Sequence, residues 1–468
     1  MDSRYTERFT RNFWILNIFQ MFEKMAYVIV LMQLPIYIAQ KDAIGGLHWD
    51  QSLKGIIFFW WALTQNIIPI FSGGFADRYG YKQTLYTSMF FIFIAYLILG
   101  TQDGYYPFLL GAITLGFGSG LFKPAIQGAI SKALNEKKQS IGWGIYFMLL
   151  NLAVFLGYTL SKYLKSFSWE VVFFGSALIT LINFALLLPY SDIGSNKVIS
   201  KESPIAIFKK TFVTLINSHL LLFVLFMSGF TIIYMQFYET LPNFLVDWTD
   251  TSSIIRILHL PKYMTMETAR GLMISYEWLY NINSFLIIAA VVFIAWIFSR
   301  IRKIYSIITG ILLATMGLLV CGSTINGWFA VFGIIVYTFG EMITNPKFAE
   351  YLSSIAPDEE KGLFMGYISI SLAIGLGGGS LAGVYLYQHY AEKAGLAFRY
   401  LNEHGMMNPG VTVKTALIYL QNSTGLNSTD ATKLLWNTYN PYTVWYPFVI
   451  VGILSIIGLF FYSKKYPE

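Results

Sequence analysis

The chain has little charge and almost no cysteine. Only 12% of its 468 residues are Asp, Glu, Lys or Arg, and Cys321 is the single cysteine. One cysteine excludes an internal disulfide and argues against a cysteine-based metal site. The five histidines fall at span ends or in loops, which argues against a metal centre and against a membrane hydrolase or acyltransferase. No Walker-type phosphate loop supports ATP-driven pumping. We therefore predict no enzyme, no metal and no cofactor.

The chain is rich in long apolar runs. Hydrophobic residues make up 56% of the sequence, and runs of about 20 residues recur, the length that spans a bilayer. The first run is too long for a cleaved signal peptide, so we expect Met1 to be retained. We predict an all-α integral membrane protein with twelve spans, at about 12–39, 51–76, 83–100, 105–131, 140–161, 171–189, 213–246, 275–298, 304–322, 327–352, 362–388 and 443–462.

The positions of the basic residues predict the orientation. Eighteen of the 32 Lys and Arg residues fall in segments on the side of the N-terminus, and three fall in short loops on the other side. Basic residues accumulate in cytoplasmic loops, so we expect both termini in the cytoplasm, with the protein in the plasma (inner) membrane. We attribute the net charge of +7 to this bias and not to nucleic-acid binding. Four lysines lie within predicted spans: Lys24, Lys54, Lys123 and Lys347.

A polar linker at 190–212 predicts two halves, 1–189 and 213–468, with six helices each. The loop after the second helix, GGFADRYGYKQT, has a basic counterpart after the eighth, SRIRKIYS. This pattern indicates duplicated halves of the kind that rock about a central site. The second half contains a long outer segment, 389–442, in which we expect Ser428 or Thr429 to cap a short surface helix.

The first apolar run carries a polar face. Gln20, Glu23, Lys24 and Tyr27 follow the spacing i, i+3, i+4, i+7, so they share one side of a helix. Each ion near mid-bilayer costs roughly 2.5–3.5 kcal/mol, so this face must look into a protein or water-filled interior. Adjacent residues on a helix do not face each other, and Glu23 and Lys24 therefore need partners from other helices.

Polar residues of several helices lie at similar depth. A rise of about 1.5 Å per residue places Lys24, Lys123, Asn151 and Glu341 near the middle of a ~30 Å hydrocarbon core. We therefore predict one solute cavity, while for each Asn alone a bond between helices is an equal alternative.

The loop after the second helix resembles a known signature. Its pattern Gly73-x-x-x-Asp77-Arg78-x-Gly80-x-Lys82 is similar to that of the major facilitator superfamily. The resemblance implies a fold of two six-helix halves. In that fold, the glycines of the signature permit two helices to approach closely. Asp77 and Arg78 are then expected to make charge contacts that alternate between the two states of a cytoplasmic gate.

Within that superfamily the intramembrane residues resemble the proton-dependent oligopeptide transporter family. The similar elements are the Gln20–Tyr27 run, GSGLFKP ending at Lys123-Pro124, Asn151, Asn283 and the block GEMITNPKFAEYLSS with Glu341. The match is atypical: Gln20 stands for a glutamate, Lys24 for an arginine, Val28 for a tyrosine, Ser284 for a proline, Ile368 for a tryptophan and Met235 for an acid beside Gln236.

The resemblance implies a role for each residue. Glu341 receives a substrate amine, Lys123 and Lys24 its carboxylate, and Asn151, Asn283 and Tyr27 its polar body. Glu23 is the expected proton carrier, with Gln20 and Glu239 on the coupling route.

We predict a secondary active transporter, a proton-coupled symporter of di- and tripeptides or peptide-like zwitterions. Its expected partners are a small-molecule substrate, protons and the lipid bilayer, and we expect a monomer. The alternative is an exporter of drugs or other solutes by proton antiport. A further alternative, from another class, is a membrane receptor or scaffold that uses its long outer segment as the ligand surface.

Overall fold

The long apolar runs form helices in the computed structural model of the protein. The structure describes residues 9–39, 45–49, 51–192, 209, 213, 216 and 219–467. Within these residues twelve helical spans are long and apolar enough to cross a bilayer, which confirms the predicted number. The first six are α1 (Arg11–Ala39), α2 (Gln51–Tyr79), α3 (Tyr81–Thr101), α4 (Tyr105–Ala133), α5 (Gln139–Lys165) and α6 (Trp169–Leu186).

The rest of the chain contains further spans and several shorter helices. In chain order they are α7 (Leu220–Trp248), α8 (Ser252–Leu258), α9 (Tyr276–Phe298), α10 (Lys303–Gly322), α11 (Gly327–Ile355), α12 (Lys361–Gly366), α13 (Ile368–Ile374), α14 (Ser380–Tyr390), α15 (Lys393–Glu403), α16 (Val413–Thr424), α17 (Ser428–Tyr439) and α18 (Tyr446–Lys465).

The eleventh span, predicted at 362–388, is interrupted. It consists of α12, α13, a π-helical turn at Gly375–Gly379 and α14. The sequence of the π turn is GLGGG, and glycine is a poor helix former because it loses the most backbone entropy. The glycine run therefore accounts for the break, which an apolar-run count does not detect.

The all-α fold is as predicted, and the segment between α8 and α9 adds one short hairpin to it. Strands β1 (Thr265–Thr268) and β2 (Gly271–Ile274) pair antiparallel as a short hairpin. Gly271 has φ +102°, a conformation that side chains other than glycine rarely adopt. Apart from this hairpin, the described elements are helical.

The long segment 389–442 contains α15, α16 and α17, and the last of these is the predicted short helix. The predicted cap at Ser428 or Thr429 is wrong by one or two residues. Asn427 is the N-cap of α17, and its side-chain oxygen accepts a hydrogen bond of 2.8 Å from the Asp430 amide. An asparagine at this position satisfies an amide that has no partner within the helix.

We expect Asn427→Ala to destabilise α17 by about 1 kcal/mol, because the Asp430 amide loses its acceptor. The measurement is the thermal unfolding midpoint of the protein in detergent. Thr429→Ala is the matched control, because Thr429 does not cap the helix. A larger loss in the Thr429 variant than in the Asn427 variant would contradict the assignment.

The described residues pack as two compact units. Unit 1 comprises Met1–Val224, Ala290–Lys303 and Asn345–Ala373, and unit 2 comprises Leu225–Ala289, Ile304–Thr344 and Ile374–Glu468. Most of the predicted linker 190–212 lies outside the described residues. The same holds for six of the basic residues that were used to predict the orientation: Arg4, Arg8, Lys41, Lys197, Lys201 and Lys210. The division into halves 1–189 and 213–468 therefore stays a prediction.

Small residues on α4 let this helix approach its neighbours. A Cβ atom at Gly116 would lie 2.7 Å from the Trp61 carbonyl oxygen of α2, and one at Gly118 would lie 3.0 Å from the Ile92 amide nitrogen of α3. Neither position has space for a side chain. This packing fixes the part of α4 that carries Lys123, one to two turns further along.

Helix α1 is held by buried side-chain bonds to its backbone. The Ser161 hydroxyl of α5 donates to the Ile29 carbonyl (2.8 Å), and the Asn183 amide of α6 donates to the Phe19 carbonyl (3.3 Å). The two contacts lie on either side of the polar turn that contains Glu23 and Lys24. They therefore hold that turn in place within unit 1.

Candidate functional site

The polar turn of α1 lies in the interior of unit 1, as predicted. Gln20 and Glu23 are buried, and Lys24 and Tyr27 are half-buried. The Tyr27 hydroxyl donates to Gln65 Oε1 of α2 (3.0 Å), and the Lys24 ammonium lies 4.9 Å from the centre of the Tyr27 ring. Another helix thus supplies the partner of Tyr27, and the ring in turn stabilises the lysine by a cation–π contact. The described contacts differ from the prediction for the two charged residues: Lys24 meets a ring of its own helix, and neither Glu23 nor Lys24 is bonded to another helix among the described residues.

Glu23 has no bonded partner among the described residues. Its side chain is only 7% exposed, yet within the described part of the chain no hydrogen bond or ion pair reaches its carboxylate. Two cations act on it at longer range, Lys24 from the same helix and Lys123 from α4. A buried carboxyl group without a bonded partner gains little from staying ionised, so it is a suitable group for binding and releasing a proton.

Lys123 joins this group through α4, whereas Asn151 of α5 uses its amide locally. Lys123 is half-buried and lies within electrostatic range of both Glu23 and Lys24. The Asn151 amide donates to the Phe147 carbonyl one turn earlier on α5 (3.0 Å), which leaves its side-chain oxygen for another partner. We define Gln20, Glu23, Lys24, Tyr27 and Lys123 as the unit 1 cluster.

A second polar group lies in unit 2, around Glu341 of α11. Glu341 is 1% exposed, and its carboxylate accepts hydrogen bonds from the Asn283 amide of α9 (2.8 Å) and the Tyr238 hydroxyl of α7 (3.2 Å). The Asn283 amide also donates to Thr338 (3.1 Å). We define Glu341, Asn283, Tyr238 and Thr338 as the unit 2 cluster. Glu341 and Asn283 were predicted from the sequence, but Tyr238 and Thr338 were not. A single Tyr or Thr is common in an apolar run and does not indicate a binding site.

Each cluster belongs to one compact unit. Glu23, Lys24 and Lys123 provide charges of both signs in unit 1, and Glu341 provides a carboxyl group in unit 2. The predicted convergence of the two clusters on one cavity stays a prediction.

Glu239 and Gln236 lie on the same helix, α7, but differ in exposure. Gln236 is buried and donates to the Gly379 carbonyl of the π turn (2.9 Å). Glu239 is exposed and lines a cavity of about 470 Å³ together with Asp247 and Glu392. If Glu239 takes part in proton coupling, as predicted, it exchanges protons directly with water and not through buried side chains.

The gate signature brings Gly73 and Asp77 of α2 against α12. A Cβ atom at Gly73 would lie 2.1 Å from the Gly362 carbonyl oxygen, so no other residue fits there. The Asp77 carboxylate accepts hydrogen bonds from the Gly362 and Leu363 amides, each 2.8 Å long, and another from the Tyr81 hydroxyl. The aspartate thus binds amides that the first turn of α12 leaves without helical partners.

The other signature residues hold the chain after α6. Gly80 has φ +96°, and the Lys82 ammonium donates to the carbonyls of Leu188 (2.9 Å) and Tyr190 (2.6 Å). Arg78 lies beside Tyr79, with its guanidinium carbon 5.2 Å from the ring centre. Within the described contacts, Asp77 and Gly73 reach α12, whereas Lys82 fastens the end of α6.

The structure also contains a buried ion pair that was not predicted from the sequence. Lys347 and Glu350 of α11 are buried and form a salt bridge of 2.9 Å, with the Ser140 hydroxyl of α5 bonded to both. Lys347 was recognised only as a lysine within a span. Its i, i+3 spacing to Glu350 is the signal that could have revealed the pair.

Comparison with known proteins identifies the family. The model of the Major Facilitator Superfamily matches residues 13–380, most of the chain. The protein belongs to the Major Facilitator Superfamily. As a member of this superfamily it is an integral membrane transporter and not an enzyme. The multidrug resistance protein MdtH of Yersinia enterocolitica is 22% identical over 349 residues, which cover 74% of this chain and 80% of that relative.

Solved structures of the superfamily share the fold. The proton:xylose symporter XylE bound to 6-bromo-6-deoxy-D-glucose has a TM-score of 0.63 and 12% identity, and covers 98% of this chain and 97% of its own. A POT family transporter in complex with a thioalcohol conjugated peptide has a TM-score of 0.60 and 14% identity, with the same coverage. At these identities the likeness concerns the fold alone.

Proposed function

We propose that this superfamily member is a proton-coupled symporter of short peptides or peptide-like zwitterions, acting by alternating access. The proposal is supported by the buried and half-buried ionisable groups in both units. Lys24 and Lys123 lie within electrostatic range of Glu23 in unit 1, and Glu341 accepts hydrogen bonds from Asn283 and Tyr238 in unit 2. A zwitterion whose amine meets a carboxylate and whose carboxylate meets a lysine satisfies both kinds of group at once.

The proposed roles follow from the chemistry of each group. Glu341 binds the substrate amine, Lys123 and Lys24 bind its carboxylate, and Tyr27, Asn151 and Asn283 contact its polar body. Glu23 carries the proton, because its carboxyl group is buried and no cation is bonded to it among the described residues. Gln20 and Glu239 complete the proposed coupling route.

The second candidate is a proton antiporter that exports drugs or other small solutes. It is favoured by the similarity to MdtH, whose name describes a multidrug resistance protein. An uncharged drug offers no opposite charge to the half-buried Lys24 and Lys123, which is unfavourable. We therefore place this function after the symporter.

We further propose an inner (plasma) membrane location, cytoplasmic termini and a monomer of two six-helix halves. The basic residues in the segments on the side of the N-terminus support this orientation, since they favour the cytoplasmic face.

The test is proton movement in liposomes that contain the purified protein and a lumenal pH indicator. A symporter acidifies the lumen when a transported dipeptide is added outside, and the signal requires both solute and protein. An antiporter moves protons in the direction opposite to its drug. A panel of dipeptides and cationic drugs that produces no proton flux in either direction would contradict both candidates.

The proposed gate is testable by Asp77→Asn. An asparagine side chain places an N–H donor against the amide of Gly362 or Leu363, which weakens the contact between α2 and α12. We expect the population to shift toward the inward-open state by about 1–3 kcal/mol, or roughly 5- to 150-fold. The measurement is maleimide labelling of a Ser353→Cys reporter, in a chain whose Cys321 is replaced by alanine. Ser353 is buried, so it reacts only when its surroundings open.

Asp103→Asn is the control for this gate prediction, because Asp103 is exposed between α3 and α4. Equal labelling of the reporter in the Asp77 variant, the Asp103 variant and the parent would remove Asp77 from the gate.

A further inference from the structure

Three tyrosine rings lie side by side at the unit 2 cluster. Tyr234 and Tyr238 are one turn apart on α7, with ring centres separated by 4.8 Å, and the ring centre of Tyr280 of α9 lies 6.2 Å from that of Tyr238. The Tyr280 hydroxyl donates to the Phe237 carbonyl, which holds this part of α9 against α7. All these residues belong to unit 2. We define Tyr234, Tyr238 and Tyr280 as the tyrosine group.

The tyrosine group is accessible, and buried rings support it. Tyr238 is 38% exposed, and Tyr234 and Tyr280 are half-buried. Beside them, Phe237 stacks on Tyr337 of α11 with ring centres 3.9 Å apart, and both of these side chains are buried. The Phe237 ring centre lies 5.2 Å from those of Tyr238 and Tyr280. The group is therefore a supported aromatic surface that a ligand can touch.

The carboxylate of Glu341 is covered by its hydrogen-bond donors. Glu341 is 1% exposed, and each of its two oxygens accepts a hydrogen bond, one from Tyr238 and the other from Asn283. A primary ammonium carries three N–H donors, which need acceptors in direct contact. A quaternary ammonium has no N–H group and needs no such acceptor. The covered carboxylate therefore favours a cation of the second kind.

A quaternary ammonium also suits the faces of the tyrosine group. A cation is attracted to an aromatic face when it lies within about 6 Å of the ring centre. Neighbouring ring centres in the group are 4.8 Å and 6.2 Å apart, so one cation can lie against two rings. The hydrogen bond from Tyr238 to a carboxylate polarises that ring and makes its face more negative. The charge of Glu341 thus acts on the ligand through the Tyr238 ring.

We propose that the tyrosine group and Glu341 form a binding site for a quaternary ammonium group. The inference rests on the proposed function and deepens its substrate class. Among peptide-like zwitterions, those with a fully methylated amine bind more tightly than those with a primary amine. The cation contacts ring faces, and the carboxylate attracts it without a direct ion pair.

Three small probes without a carboxylate test the site. Choline carries a trimethylammonium group, 3,3-dimethyl-1-butanol has the same shape without the charge, and ethanolamine carries a primary ammonium. Isothermal titration calorimetry of the purified protein, in a detergent without a choline headgroup, measures the affinity of each probe. We expect choline to bind about tenfold more tightly than either of the other two, equal to about 1.4 kcal/mol.

Two substitutions of Tyr238 separate the role of its ring from that of its hydroxyl. Tyr238→Leu removes the ring, and choline should then bind about tenfold more weakly. Tyr238→Phe keeps the ring but uncovers one oxygen of Glu341. We expect its choline affinity to stay within threefold of the wild type and its ethanolamine affinity to rise about tenfold. Tyr305→Leu is the matched control, because Tyr305 of α10 is 37% exposed and belongs to the same unit.

The inference is overturned if the wild type binds 3,3-dimethyl-1-butanol or ethanolamine as tightly as choline, or if it does not bind choline. An equal loss of choline affinity in the Tyr238→Leu and Tyr305→Leu variants would also overturn it. The comparison of the three probes uses the wild type alone, so a variant that fails to fold does not affect it. It needs neither a dipeptide nor a proton gradient. Failure of the proposed symport, seen as absent proton flux in liposomes, is therefore a separate result.

Discussion

Glu23→Gln should abolish proton-driven accumulation of substrate while sparing exchange of substrate across the membrane. The Glu23 carboxyl is buried and lies within range of Lys24 and Lys123, without a bonded partner among the described residues. Coupling requires that its protonation change with the occupancy of the site. Glutamine keeps the shape of the side chain but cannot exchange a proton. Net uptake against a gradient is therefore lost, whereas binding and the conformational cycle persist.

Two assays in liposomes separate these effects. Accumulation driven by an imposed pH gradient measures coupling, and counterflow of labelled against unlabelled substrate measures the cycle alone. Glu170→Gln is the control, because Glu170 is an exposed carboxyl at the first turn of α6. Unchanged concentrative uptake by the Glu23 variant would exclude it as the proton carrier and leave Glu239 as the next acid to test.

Glu341→Gln should erase the preference for a free substrate amine. In the wild type, acetylation of the N-terminus removes the cation that the proposed function places against the buried carboxylate of Glu341. A buried charge left without its partner costs about 3–5 kcal/mol, so acetylation should weaken binding by two or three orders of magnitude. Glutamine carries no charge, and the free and acetylated peptides should then bind with similar, weaker affinity.

Competition of free and N-acetylated dipeptides against a labelled substrate measures this discrimination. Lys24→Gln and Lys123→Gln are the matched variants. They should instead weaken the preference for a free C-terminal carboxylate and leave the effect of acetylation intact. Should acetylated and free dipeptides compete equally in the wild type, or neither compete at all, the peptide assignment fails and the exporter becomes the leading function.

The predicted site residues differ in how well a pattern could reveal them. The sequence reveals four of them, Glu23, Lys24, Lys123 and Glu341. A charged residue inside an apolar run is costly to bury, and it therefore indicates a functional site. Tyr238 and Thr338 are not visible, since their types are ordinary in such runs. The Ser140 bridge is hidden for a different reason. A serine near a helix start resembles a cap, and its two ionic partners lie 207 and 210 residues away.

The sequence by itself determined the number of spans, their approximate limits and the superfamily signature, because these depend on local length, hydropathy and spacing. It did not determine the π turn, the hairpin or the Asn427 cap. At the π turn and the hairpin, backbone hydrogen bonding and glycine conformation decide, and at the cap one side-chain hydrogen bond decides between neighbouring residues of similar propensity. Only the tertiary structure decided which polar groups meet. Asp77 binds amides 285 and 286 residues away, and Glu341 is held by α7 and α9. Burial makes such pairing necessary, but the packing of the helices selects the partner.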